Sequence, residues 1–202
     1  MKTQWNFSEQ GTIESHGGKI WYGISGSKES SETPLIVIHG GPGMSHNYLY
    51  PLTDLADKRQ VIFYDQLDAG LSERPNNPVN WRISRFLLEV DDLRESLNLD
   101  RVAIFGNSWG GTIAASYAAK NPAGLERLVL SSPLLNTDLW LSDNKTHREN
   151  LPPEVLSVMR QCEKEGQESS QEYRDSVEVF YARHFCRSDP WPDYVMDSMN
   201  AL

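Results

Sequence analysis

The chain has 202 residues, a length that predicts one domain or one domain with an insertion. Hydrophobic residues make up 39% and charged residues 23%, which is ordinary globular usage and excludes disordered and membrane-spanning proteins. A formal net charge of -9 argues against a nucleic-acid partner. No apolar signal segment opens the sequence, so we expect a cytoplasmic protein with Cys162 and Cys186 reduced and the oligomeric state open.

The first predicted elements are two short strands, at residues 12–15 and 19–24, which alternate apolar and polar side chains. They flank His16-Gly17-Gly18, a sequence that predicts an antiparallel hairpin with His16 in the turn. Four continuous apolar runs typical of buried strands follow, at residues 34–38, 61–64, 102–105 and 128–130. Helical patterns separate these runs, and this alternation predicts an α/β fold with a mostly parallel, doubly wound sheet.

The clearest helical pattern lies between the second and third of those runs. Its apolar stripe should cover the sheet, and its acidic residues are expected on a solvated face. The stripe consists of Ile83, Phe86, Leu87, Val90, Leu93 and Leu97, and the acids are Glu89, Asp91, Asp92 and Glu95.

Gly106-x-Ser108-x-Gly110 lies between the strand 102–105 and a helix of small residues at 112–120. A strand that turns sharply into a helix at such a motif is the nucleophile elbow of serine hydrolases. Flanking glycines remove the Cβ atoms that would collide in the turn. The motif therefore predicts Ser108 as a nucleophile whose hydroxyl projects toward a substrate.

A second glycine-rich segment, His39-Gly-Gly-Pro-Gly43, directly follows the strand 35–38. A hydrolase of this plan needs a loop here that presents a backbone N–H to a developing oxyanion. We expect Gly41 or its neighbour to supply one amide and Trp109 the other. His39 is expected to orient the loop, and His39, Gly40 and Trp109 are candidate substrate-binding residues, with the Trp109 ring as a pocket wall.

After residues 131–133 the sequence becomes polar and helix-patterned, which predicts an inserted cap. The predicted domains are therefore a core at 1–132 and a helical cap at 133–202. One cap helix begins at Pro152-Pro153, with Val155, Val158, Met159 and Cys162 on one face. A second carries Tyr173, Val177, Phe180, Tyr181 and His184, with His184 expected to be a packed cap residue.

Three motifs resemble those of the proline iminopeptidase (prolyl aminopeptidase) family of α/β-hydrolases: His39-Gly-Gly-Pro-Gly43, Tyr64-Asp-Gln66 with Gly70-x-Ser72, and Gly106-Asn-Ser-Trp-Gly-Gly111. The resemblance extends through the cap. It implies release of an N-terminal residue, often proline, from peptides or amides through an acyl-enzyme on Ser108. It also implies that no cofactor or metal is used, that Gly41 and Trp109 supply the oxyanion amides, and that the partner is a small peptide or amino-acid amide rather than a nucleic acid or membrane.

The loop after Tyr64-Asp65-Gln66 departs from the family pattern. It contains Asp68 where the family usually has glycine, and Leu71 where it often has arginine. Asp65 is expected to fix a turn by accepting backbone N–H groups.

In this fold the catalytic acid and histidine follow the nucleophile in chain order and normally lie beyond the cap. The sequence ends within the predicted cap, so we expect C-terminal strands and helices to be missing. The strand at 128–130 should then be an unprotected edge, and the isolated chain nearly inactive. Only His147 and His184 follow Ser108, and His147 with Asp138 is the alternative internal base and acid.

Two other functions stay open: an amino-acid amidase or esterase of the same fold, and a truncated, non-catalytic binding relative. A dinucleotide-binding fold is disfavoured, because no Gly-x-Gly-x-x-Gly follows the first parallel strand. Metal binding is disfavoured as well, because His39 and His46 have no carboxylate or thiolate at a ligand spacing.

Overall fold

The computed structural model describes residues 6–201, so the outer ends of the predicted domains, residues 1 and 202, lie outside the described part. Two compact units are present. The first runs to Leu135 and resumes at Asp193, and the second is Asn136–Pro192. That the second unit acts as a cap stays a prediction.

The strands of the first unit are β1 Glu9–Ser15, β2 Gly18–Ser25, β3 Leu35–Ile38, β4 Val61–Tyr64, β5 Val102–Asn107 and β6 Leu125–Ser131. They form a six-stranded sheet in the order β1-β2-β4-β3-β5-β6. Both pairings of β2, with β1 and with β4, are antiparallel, whereas β3 pairs in parallel with β4 and β5, and β5 in parallel with β6. This arrangement confirms the predicted hairpin and the mostly parallel sheet.

The central strands are apolar on both faces because both faces are covered. Every residue of β3 and β4 is buried. On one face Ile36, Ile62 and Ile104 belong to a cluster with side chains of the two helices α1 Ile83–Ser96 and α2 Trp109–Ala118. On the other face, Val37 and Phe63 belong to a cluster with Leu49. Leu49 lies in a 3-10 helix, His46–Asp57, that the sequence did not predict.

The second unit is helical, with α3 Thr137–Glu149, α4 Pro153–Glu165 and α5 Gln171–His184. The predicted helices beginning at Pro152-Pro153 and containing Tyr173 are confirmed as α4 and α5. Cys162 and Cys186 are free, as expected. The last helix, α6 Asp193–Met199, belongs to the first unit and contacts the 3-10 helix.

Glu89 corrects the prediction of a solvated acidic face on α1, because its side chain is fully buried. Its Oε1 accepts a hydrogen bond from the Leu67 amide at 2.8 Å and pairs with Arg85, one turn earlier on the same helix. Burial raises the Glu89 pKa to about 8, against the opposing effects of Arg85 and the Leu67 amide. Opposite charges four residues apart usually indicate a solvated helix surface, which is why the sequence pattern predicted an exposed Glu89.

The strand β6 is an edge of the sheet, and among residues 6–201 it pairs only with β5. Leu128 and Val129 in its centre are 37% and 49% exposed. The predicted exposed edge is therefore confirmed. Within the described part of the chain, no helix combines the length and apolar character needed to cross a bilayer.

Candidate active site

Ser108 occupies the turn between β5 and α2, with φ 52° and ψ -118°. A non-glycine residue with positive φ is uncommon and strained, and such strain concentrates at functional sites. The Ser108 amide donates to the Ser131 carbonyl at 3.0 Å, and the Ser108 carbonyl accepts from Gly111 and Leu134. The residue is partly exposed, and its hydroxyl has no hydrogen-bond partner among residues 6–201. The backbone is thus held by neighbours, while the hydroxyl that the sequence predicts as the nucleophile stays free.

The glycines that flank Ser108 are required by close backbone approaches. A Cβ atom on Gly106 would lie 2.4 Å from the Gly110 carbonyl oxygen. A Cβ atom on Gly110 would lie 2.2 Å from the Ile38 carbonyl oxygen, at the end of β3. Both distances are far inside van der Waals contact, so only glycine fits this turn.

The segment after β3 offers two adjacent glycine amides, and the structure distinguishes them. The Gly40 amide donates to the Tyr48 hydroxyl at 2.7 Å, and that hydroxyl donates to Asn107 Oδ1 at 2.6 Å. Burial raises the pKa of Tyr48, so the phenol stays protonated. The amides of Gly41 and Trp109 have no hydrogen-bond partner within the described chain. Gly41 has φ 119°, a conformation natural for glycine.

His39 is fully buried and both of its ring nitrogens are engaged. Nε2 accepts from the Gln66 amide at 3.0 Å, so the proton lies on Nδ1, which donates to the Gly40 carbonyl at 2.9 Å. Burial lowers the pKa of His39, against the attraction of Asp65, and this keeps the ring neutral. The ring holds the loop in place, so any effect of His39 on substrate passes through that loop.

Gly40 is also buried, and its polar groups are used within the protein. A Cβ atom at this position would approach Ser108 Cβ and the Tyr48 hydroxyl to 3.0 Å each. Its contribution to the site is therefore its small size.

Gln66 is a site residue that sequence reasoning did not single out. Its Nε2 donates to the His39 carbonyl at 2.7 Å, and its Oε1 accepts from Trp109 Nε1 at 3.0 Å. This buried side chain links the end of β3 to Trp109, the residue after Ser108. Its place two residues after a buried strand, in Tyr64-Asp-Gln66, was the signal available in the sequence.

Asp65 fixes the loops on either side of it, as predicted. Its Oδ1 accepts from the backbone amide of His46 at 2.8 Å and from the His46 ring at 2.9 Å, and its Oδ2 accepts from the Leu71 amide at 2.8 Å. Burial would raise the pKa of Asp65, but His46, His39 and the Leu71 amide together bring it below the ordinary value. Asp65 is thus an ionised, buried anchor.

A cavity of about 360 Å³ adjoins these loops. Asp68 lies at its wall with φ 66°, the left-handed conformation that glycine adopts easily. The ring of Trp109, predicted as a pocket wall, does line the cavity and meets Phe86 edge-on at 5.7 Å. The full lining is Pro42, Gly43, Gln66, Leu67, Asp68, Asn76, Trp81, Phe86 and Trp109.

The alternative pair of His147 and Asp138 is wrong. Both residues lie on α3, Asp138 in its first turn and His147 in its last. Nine residues of α-helix separate them by about 13 Å along the axis, too far for a hydrogen bond. The His147 ring instead stacks on His184 at 4.5 Å, and His184 also packs against Phe180 at 4.9 Å while staying exposed.

Residues 33–201 match the family model described as alpha/beta hydrolase fold. Together with the strained serine between β5 and α2, this match defines the class as an α/β hydrolase. A curated proline iminopeptidase of Heyndrickxia coagulans is 40% identical over 187 residues. The crystal structure of proline iminopeptidase from Mycobacterium smegmatis superposes with a TM-score of 0.89 at 32% identity. The chain belongs to the proline iminopeptidase family of α/β hydrolases.

The matches cover nearly all of this chain but only part of each relative. The match with the Heyndrickxia protein covers 92% of this chain and 64% of that relative. The match with the Mycobacterium structure covers 96% of this chain and 67% of that protein. The solved structure of VinJ has a TM-score of 0.92 and 32% identity, and the match covers 97% of this chain and 68% of VinJ. This chain thus spans about two thirds of the length of its relatives.

Proposed function

We propose that the protein is a serine hydrolase that releases an N-terminal residue, proline or another, from peptides or amides through an acyl-enzyme on Ser108. One observation carries the proposal. The free hydroxyl of Ser108 projects from a strained turn, and the amides of Gly41 and Trp109, one on the β3 loop and one next to the nucleophile, are both unpaired within the described residues. The names of the relatives support the peptide substrate.

In the proposed reaction, Ser108 Oγ attacks the carbonyl carbon of the first residue and its proton passes to a base. The electron pair of the carbonyl moves to oxygen, where the Gly41 and Trp109 amides stabilise the negative charge. The tetrahedral intermediate collapses and the leaving amine takes the proton. Water then attacks the acyl-serine ester, which releases the amino acid and restores the hydroxyl.

We further propose that this chain alone hydrolyses its substrate slowly. No histidine among residues 6–201 hydrogen-bonds the Ser108 hydroxyl, and the buried rings of His39 and His46 are already engaged by Gln66 and Asp65. Loss of the base in a serine protease lowers turnover by about a million-fold. A diffusible base should restore part of that loss.

Imidazole supplies such a base and tests the assignment. We expect imidazole to increase hydrolysis of proline arylamide by the wild-type chain, and a fluorophosphonate probe to modify the peptide that contains Ser108. The Ser108→Ala variant controls for hydrolysis by imidazole itself. Equal rates in both proteins, with no labelling of Ser108, would exclude Ser108 as a nucleophile and favour the non-catalytic binding function.

The same assay separates the peptidase from an amidase or esterase. Proline arylamide, alanine amide and a simple ester differ in acyl group and in leaving group, but each would form an acyl-serine ester. Preference for the proline arylamide supports the aminopeptidase. A rate confined to the ester assigns the site to ester hydrolysis instead.

A further inference from the structure

The loop after β3 and the turn that carries Ser108 are joined by one side chain, that of Tyr48. Its hydroxyl accepts from the Gly40 amide at 2.7 Å and donates to Asn107 Oδ1 at 2.6 Å. Gly40 directly precedes Gly41, and Asn107 directly precedes Ser108. A single oxygen atom therefore connects the neighbour of the proposed nucleophile to the neighbour of a proposed oxyanion amide.

Further hydrogen bonds hold the two side chains of this bridge. Asn107 Nδ2 donates to the Ser131 carbonyl, at the end of β6, at 3.1 Å. The backbone amide of Tyr48 donates to Ser198 Oγ, on α6, at 2.9 Å. Because Tyr48 and Asn107 are each bonded to another element, the hydroxyl between them has little freedom to move.

The loop, the turn and the Tyr48 hydroxyl are also in close contact. A Cβ atom on Gly40 would lie 3.0 Å from Ser108 Cβ and 3.0 Å from the Tyr48 hydroxyl. Tyr48 is half-buried, and it does not line the cavity beside Trp109. A side chain in this position can affect the reaction by placing other groups.

We propose that Tyr48 is a positioning residue for hydrolysis, whose hydroxyl engages the Gly40 amide, leaves the Gly41 amide for the oxyanion and holds it at a fixed distance from Ser108 through Asn107. The proposal rests on the proposed function. Oxyanion stabilisation requires donors that are in place before the charge develops. A displacement of about 1 Å can lower a reaction rate about a hundredfold.

Labelling of Ser108 by a fluorophosphonate in the presence of imidazole measures this role. Ser108 Oγ displaces fluoride from phosphorus and gives its proton to imidazole, while negative charge develops on the phosphoryl oxygen. Tyr48→Phe keeps the ring and removes the hydroxyl. We expect the limiting labelling rate to fall at least about tenfold, with the half-saturating probe concentration within about twofold of wild type.

The rates are compared well below the unfolding temperatures of both proteins, so a loss of stability alone leaves the limiting rate unchanged. An unchanged limiting rate in folded Tyr48→Phe would overturn the role of Tyr48 and leave the hydrolase function intact. Absent labelling of wild-type Ser108 would overturn both.

Tyr50→Phe is the matched control, because it removes a tyrosine hydroxyl from the same 3-10 helix. That hydroxyl accepts from the Asn6 amide at 3.2 Å, away from the Gly40 amide. The limiting rate should stay at the wild-type value. An equal loss in Tyr50→Phe would show that any disturbance of this helix slows the reaction, which contradicts a specific role of the Tyr48 hydroxyl.

Asn107→Ala removes the other end of the bridge and tests it even if Tyr48→Phe fails to fold. Its limiting rate should fall to a similar extent, and a wild-type rate would overturn the proposal. Because both substitutions break one bridge, the double variant should be at most about twofold slower than the slower single variant. Losses that multiply would show that Tyr48 and Asn107 act separately and that the bridge is wrong.

Discussion

Gly110 lies where α2 approaches the end of β3, and the space there admits no side chain. We expect Gly110→Ala to lower the free energy of unfolding by about 3 kcal/mol, because its Cβ atom would meet the Ile38 carbonyl at 2.2 Å and neither backbone can yield cheaply. Urea denaturation measures the change. Gly166→Ala is the control, since its Cβ atom would have open space and only its φ of 67° is unfavourable, at about 1 kcal/mol. Equal losses would show that α2 can move away from the sheet.

Gln66 links the two segments that carry the unpaired amides. Gln66→Ala leaves the His39 carbonyl and the Trp109 indole without their partner, so we expect a loss of about 2 kcal/mol in unfolding free energy. The imidazole-supported labelling of Ser108 should also slow by about tenfold, because the Trp109 amide is no longer held in position. Gln10→Ala, on an exposed position of β1, should change neither quantity. A labelling rate unaffected by Gln66→Ala would limit Gln66 to a structural role.

At the scale of single residues, the sequence predicted those positions whose chemistry depends on the local chain. Ser108 and its glycines form a contiguous motif, and Gly41 follows a recognisable strand. Two of the bonds around them join residues far apart in sequence: Tyr48 reaches Asn107 across 59 positions, and Gln66 reaches Trp109 across 43. Contacts of this kind depend on how strands pack side by side, which no local pattern specifies.

In α1, buried Glu89 gives stability a pH dependence of definite sign. Its pKa is raised from an unfolded value of 4.5 to about 8, so between these pH values the folded state binds more protons than the unfolded state. Stability from this group is therefore present below pH 4.5 and is lost as pH rises to about 8. Relative to Glu89→Gln, the wild-type unfolding free energy should fall by on the order of 3 kcal/mol from pH 5 to pH 8.

Urea denaturation at several pH values checks this, with Glu95→Gln on the exposed face of α1 as the control. The control should parallel the wild type throughout the range. Parallel curves for Glu89→Gln and wild type would place the Glu89 pKa near its ordinary value.

Elements with continuous apolar runs were predicted closely, because β3 and β4 are buried on both faces and leave no polar position. The 3-10 helix His46–Asp57 was not predicted, since Pro51 lies inside it and proline usually interrupts a helical pattern. Similarly, α3 has no buried residues, so its sequence has little apolar pattern to detect.

Across the whole molecule, burial predicts a gradient of local stability. Amide hydrogen exchange should be slowest in β3, β4 and β5, whose neighbours cover both edges, and faster in β6, which has one paired edge and exposed Leu128 and Val129. Mass spectrometry of peptic fragments resolves these strands, and α2 serves as a buried helical reference. Equal protection of β6 and β5 would mean that another chain, such as a second copy, covers the β6 edge in solution.

Ser198 lies fully buried on α6. Its hydroxyl accepts a hydrogen bond from the Tyr48 amide at 2.9 Å and donates one to the Ser45 carbonyl at 3.2 Å. Tyr48 in turn holds the Gly40 amide. On a ribosome, the segment around Gly41 emerges long before residue 198, so this part of its anchorage waits for some 150 further residues to be translated. Maturation of the surroundings of Ser108 is thus a late event in biogenesis, and a nascent chain that already contains Ser108 still lacks one of the supports of the glycine loop.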